Sequence, residues 1–296
     1  MRRNQFLLLV PLLLLLCVLA LNVCAESSDL NDISSFVLSN DGTCSSGTVP
    51  LKSGTGTDLY AVMYLPAETQ VKYVPVLMLH GLNATADGMS IMARELVTHG
   101  YACLTFDFVN GSNLSKSGNK MKKMSVITEK EDLLSVLDQM QSISYLDMDN
   151  LFIYSESQGG MVTAAAIPEI AGRVKGLILS YPALHIPETI RELYPVYEEI
   201  PSSVKFSATT LGKIYAADIY NLDAWKLCSE FSGPVLIMHG TEDTSVDISF
   251  SQKAVTVFPN AKLEIIDGAG HGFSQAEYRG KTMQMASDFI QENLSE

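Results

Sequence analysis

Residues 150–160 read Asn150-Leu-Phe-Ile-Tyr-Ser-Glu-Ser-Gln-Gly-Gly160. An apolar run enters a small residue–x–Ser–x–Gly turn and leaves it into a helix-forming stretch of small residues. This is the sequence form of a nucleophile elbow, the sharp strand-to-helix turn that lifts a serine hydroxyl above a sheet edge. Ser157 is therefore the candidate nucleophile. A serine hydroxyl reacts poorly at neutral pH, so a base, an orienting acid and an oxyanion site must appear elsewhere in the chain.

Outward from the elbow, strands and helices alternate. Val74–Leu79, Tyr101–Phe108, Asn150–Tyr154, Val174–Ser180, Pro234–Met238 and Leu263–Asp267 are short continuous apolar runs, the pattern of strands buried on both faces. Between them lie helical stretches. Met89–His99 stops at Gly100, Lys130–Met140 puts Leu133, Leu134, Leu137 and Met140 on one face, and Gly159–Ile167 follows the elbow. Lys281–Leu294 closes the series, with Met283, Ala286, Ile290 and Leu294 on its apolar face. The alternation predicts an α/β class: a mainly parallel sheet with helices on both faces. Residues 26–46 are polar and rich in Ser, Asn and Gly, and read as a loose lead-in. Residues 185–231 break the alternation with Tyr194, Tyr197, Phe206, Tyr215, Tyr220, Trp225 and Phe231, punctuated by prolines. This stretch exceeds what a simple crossover needs, and it reads as an inserted, mostly helical cap above the sheet.

Each missing catalytic part has a candidate just after a strand, at the carboxyl edge where sites of open α/β sheets assemble. The base is His271, in the glycine-rich loop Asp267-Gly-Ala-Gly-His-Gly-Phe273. The acid is Asp243, in His239-Gly-Thr-Glu-Asp243; Glu242 and Asp247 are local rivals, and Asp267 lies too close to His271 in the same loop. An acidic turn of this kind equally caps a following helix. The oxyanion site needs backbone N–H groups aimed at developing negative charge. Gln158, the residue after the nucleophile, offers one, and Leu82 in His80-Gly-Leu-Asn83 offers the second. His80 itself reads as a structural residue of that loop. The order Ser157, Asp243, His271 is the order Ser…Asp…His.

Those motifs together resemble the α/β-hydrolase esterases over about residues 50–294, and are most similar to the bacterial cinnamoyl (feruloyl) esterase-like group. The resemblance implies an α/β-hydrolase fold and a serine carboxylic-ester hydrolase acting through an acyl-enzyme on a small-molecule ester. It implies no cofactor. The superfamily also includes peptidases and lipases, so a serine exopeptidase of the same fold is the alternative. A non-catalytic binding protein on this scaffold would show damage at a catalytic position, and none is present. The sequence departs from the common pattern at Ser155, where many members have Gly; serine is small enough for the elbow to form.

Composition sets the context. The chain has 296 residues and a formal net charge of −13. Arg2 and Arg3, the apolar run Phe6–Val23 and the small residues Val23-Cys24-Ala25 form a signal peptide over 1–25, with residues 26–296 as the hydrolase domain. Left uncleaved, the same segment is long enough to anchor the chain in a membrane. Cleavage removes Arg2 and Arg3 and no acid, so the mature charge deepens, which argues against nucleic acid as a partner. Cys44, Cys103 and Cys228 remain, too few for a disulfide framework and without metal-ligand spacing. Sequons occur at Asn83, Asn110, Asn113 and Asn293. A glycan at Asn83 would block the oxyanion loop, which favours a bacterial exported protein in which the sequons are chance.

Overall fold

The computed structural model describes residues 29–294. The segment read as a signal peptide lies outside them. Its centre is a nine-stranded sheet. In chain order the strands are β1 (Val37–Leu38), β2 (Cys44–Thr48), β3 (Ala61–Pro66), β4 (Pro75–Leu79), β5 (Ala102–Phe106), β6 (Phe152–Glu156), β7 (Gly176–Ser180), β8 (Val235–Gly240) and β9 (Ala261–Ile266). Across the sheet they run β1-β2-β3-β5-β4-β6-β7-β8-β9. From β5 to β9 every pairing is parallel. At the other edge β1, β2 and β3 pair antiparallel, as does β3 with β5.

The central strands are apolar on both faces because both are covered. Leu77, Leu79, Ile153, Leu177 and Ile237 enter one core, and Val76, Met78, Tyr154, Ile178 and Met238 the other. Helices α1 (Ser90–Thr98) and α8 (Ala276–Glu292) cover the second face; α2 (Val126–Met140), α3 (Gln158–Ile170) and α7 (Ile248–Val257) supply the first. Period-2 alternation within uniformly apolar strands thus divides one sheet between two cores.

Two expectations need correction. Residues from 29 onward are not a loose lead-in. β1 and β2 extend the sheet, Leu30 and Phe36 pack on the core, and the Asn31 carboxamide bonds Ser142 and Ser144. The 185–231 stretch is also less helical than expected. It contains α4 (Ile186–Leu193), α5 (Lys213–Ile219) and α6 (Ala224–Ser229), but also a two-stranded hairpin, Ser203–Phe206 with Thr209–Gly212. The hairpin packs closely below: a Cβ on Gly212 would lie 2.0 Å from the Lys122 carbonyl oxygen. Alongside it, Ser125, which caps α2, donates its hydroxyl to Asp218 at 2.6 Å.

Candidate active site

The elbow is present as a strained turn. β6 ends at Glu156, α3 begins at Gln158, and Ser157 between them has φ 50° and ψ −117°. A non-glycine residue holds such a backbone only where its surroundings over-determine it. Here the Ser157 N–H donates to the Ser180 carbonyl (3.0 Å), and its carbonyl accepts from Gly160 and Ala183 (3.0 and 2.9 Å). The following glycines let α3 approach. A Cβ on Gly159 would lie 2.7 Å from the Leu79 carbonyl oxygen, and one on Gly160 2.6 Å from Pro182 Cβ. Ser155, the departure from glycine, fits: its hydroxyl is buried and bonds Thr163 Oγ1 at 2.6 Å.

The loop of residues 80–83 lies against Ser157. A Cβ on Gly81 would sit 3.1 Å from Ser157 Cβ and 3.6 Å from its Oγ. Asn83 turns the loop with φ 58°, donating its N–H to Gly111. His80 holds the base of the loop as the sequence suggested: Nδ1 bonds the Gly81 carbonyl, and Nε2 accepts from Phe108 N–H. The backbone N–H groups of Leu82 and Gln158 make no backbone hydrogen bond to another loop or strand among the described residues. Both donors belong to segments adjoining Ser157.

Asp243 and His271 meet. Their Oδ2 and Nδ1 lie 2.7 Å apart, the aspartate side chain fully buried and the imidazole 28% exposed. The loops that carry them are locked together: a Cβ on Gly240 would fall 2.0 Å from the Ala269 carbonyl oxygen, and Glu242 N–H donates to that same carbonyl. Gly268 and Gly272 take positive φ, which the tight loop requires. Burial disfavours charge on Asp243, but hydrogen bonds from His239 and His271, with the Val246 N–H, outweigh it and hold the carboxyl well below the usual range. The rivals are occupied otherwise. Asp247 caps α7 through Ser249 N–H, Asp267 accepts from Thr241, and Glu242 is exposed.

Two neighbours were not foreseen. Tyr181, at φ 40°, packs its buried ring on His271 with centroids 4.4 Å apart. Glu156, the variable residue of the elbow, accepts from Tyr154 Oη at 3.3 Å. Burial raises its carboxyl to about 7, opposed by the Tyr181 and Tyr154 hydroxyls and by the nearby His271. Glu156 was visible within the motif, but its half-buried placement against Tyr154 leaves no periodic signal in sequence.

The sequence pattern of the family described as serine aminopeptidase, S33, matches residues 73–217. A "putative esterase/lipase" of Haemophilus influenzae is 24% identical over 236 residues, covering 67% of this chain and 77% of that one. Among solved structures, Est1E from Butyrivibrio proteoclasticus with ferulic acid bound superposes with a TM-score of 0.74 at 21% identity, over 83% of this chain and 98% of its own. DcsB in complex with its substrate analogue gives 0.68 at 16% identity, over 85% and 100%. At such identities the likeness establishes the fold.

Proposed function

We propose that this chain, a protein of the α/β-hydrolase fold, is a serine hydrolase that cleaves carboxylic esters through an acyl-enzyme. The observation that carries the reading is the Asp243–His271 pair at 2.7 Å, whose imidazole packs on Tyr181, the residue after the Ser180 carbonyl that holds the strained turn of Ser157. Asp243 Oδ2 accepts a hydrogen bond from His271 Nδ1–H, which fixes the tautomer and leaves Nε2 as the basic nitrogen. Ser157 Oγ attacks the ester carbonyl and gives its proton to His271 Nε2. The Leu82 and Gln158 N–H groups take the charge of the tetrahedral oxyanion. Collapse breaks the C–O bond, and Nε2 returns the proton to the departing alcohol. Water, activated by the same nitrogen, then releases the acid.

A fluorophosphonate probe is expected to label Ser157, and Ser157→Ala is expected to lower kcat by several orders of magnitude with the fold retained. A folded Ser157→Ala protein of wild-type activity would sink the assignment. For substrate, the aromatic 185–231 segment favours aryl or cinnamoyl esters of small alcohols, a preference supported by the ferulic acid held by Est1E. A p-nitrophenyl ester series should decline toward long chains. The match to the serine aminopeptidase pattern supports a second reading, an exopeptidase using the same residues. Aminoacyl p-nitroanilides tested beside methyl ferulate separate the two. The basic and apolar N-terminus supports export, with cleavage before Glu26 readable by N-terminal sequencing of the secreted protein.

A further inference from the structure

We propose that Glu129 and Tyr215 are positioning residues that hold the two halves of the oxyanion site in register, through the side chain of Gln158 and the backbone at Gly111. The inference rests on the ester-hydrolase reading above.

Gln158 contributes more than a backbone N–H. Its side chain is buried and bonded at both ends: Oε1 accepts from Tyr215 Oη at 2.8 Å, and Nε2 donates to Glu129 Oε2 at 2.7 Å. The three residues come from three elements. Tyr215 is in α5 of the inserted segment, Gln158 opens α3, and Glu129 is in the first turn of α2. A primary carboxamide clamped at its oxygen and its nitrogen has its plane fixed, and in the first residue of a helix that fixes the backbone N–H too.

Glu129 also reaches the other half. Its Oε1 is buried without a hydrogen-bond partner among the described residues. It lies against Gly111, where an added Cβ would come within 3.0 Å of it. The Gly111 carbonyl accepts the Asn83 N–H (3.1 Å), which sets the turn that presents Leu82. One helical turn further along α2, Asp132 accepts from Val109 N–H (2.8 Å), two residues before Gly111. Helix α2 is thus a common brace: Glu129 bonds the Gln158 side and abuts the Leu82 side, while Asp132 anchors the strand-end loop between them. Tyr215 joins the inserted segment to this brace, so displacement of α5 reaches the oxyanion site directly.

Oxyanion donors act in the transition state, so misplacing them lowers kcat and leaves ground-state binding largely alone. Tyr215→Phe removes one hydroxyl and keeps the ring. With p-nitrophenyl acetate it should lower kcat about ten-fold with KM within about two-fold, short of the ~100-fold or more that follows loss of a whole donor. Affinity for a phenylboronic acid, which bonds Ser157 Oγ and places a boronate oxygen in the oxyanion site, should fall by the same factor. Glu129→Gln keeps an acceptor for Gln158 and should retain activity, whereas Glu129→Leu should not; Tyr215→Phe decides the matter if Glu129→Leu fails to fold. An active wild type whose Tyr215→Phe variant matches it in kcat and boronate affinity overturns the inference alone. A folded but inert wild type overturns the ester-hydrolase reading, and this inference with it.

Discussion

Ser157 stores strain that its proposed role as nucleophile would justify. Its backbone lies where a Cβ is disfavoured, at a cost of about 1–3 kcal/mol. Ser157→Gly relieves that cost and should raise the melting temperature while abolishing turnover, a pairing that thermal denaturation and a p-nitrophenyl assay would test together. Asp243→Asn should keep the loop but present the wrong hydrogen-bond partner to His271 Nδ1, lowering kcat by roughly 10⁴ in steady-state kinetics. At this scale the proposed triad was legible because each member had to sit just beyond a strand, and strands announce themselves by apolar runs. The choice of Asp243 over Asp247 was less so, since both lie in one acidic turn; the structure separates them by giving Asp247 the cap of α7. Tyr181 and Glu156 were out of reach because ring contacts and partial burial leave no periodic signal.

The decisive element is α3, which reaches the sheet only because its first turn is glycine. Gly159→Ala puts a Cβ within 3 Å of two backbone oxygens, of Leu79 and His80, that cannot swing aside. It should destabilise the protein by about 1–3 kcal/mol and lower activity together, as denaturant titration and kinetics would show. Gly280, half-buried on α8, offers the contrast: an added Cβ meets nothing within 4 Å, and alanine there should stabilise by roughly 0.5–1 kcal/mol. Element reading was sound for the parallel strands and weaker elsewhere. Helix α2 begins earlier than its apolar stripe, at Val126, because Ser125 and Thr128 form a reciprocal cap that outweighs hydrophobic period as a start signal. The hairpin of residues 203–212 and the antiparallel edge of β1 and β2 are short and mixed in polarity. Their stability comes from the surfaces they meet, which sequence alone does not display.

For the whole molecule, buried carboxyls set the response to pH. Burial raises Glu129 to about 8, and Asp132 and Glu156 each to about 7, from ordinary values of 4.5, 3.8 and 4.5. Their neutral forms are favoured by folding, so the stability they contribute is complete below the ordinary values and is lost as pH rises toward the folded ones. Asp243 works oppositely: its contribution is present above about 3.8 and is lost as pH falls through its depressed folded value. Buried His80 and His185, both held below the ordinary 6.5, oppose the carboxyls on the acid side, so the decline the carboxyls dictate should show above about pH 6.5, toward pH 8. A series of melting curves would show this, and Glu129→Gln should flatten the decline.

The sheet order also fixes when the molecule becomes whole. Ser157 directly follows a central strand, but its proposed base stands beyond β9, at position 271, and β7, β8 and β9 of the main sheet must first pair in parallel with non-local partners. A growing chain can complete its elbow long before any imidazole is available to it. Synthesis would therefore deliver a silent nucleophile. Reactivity would arrive late, when the outermost parallel strand docks and carries its histidine into place.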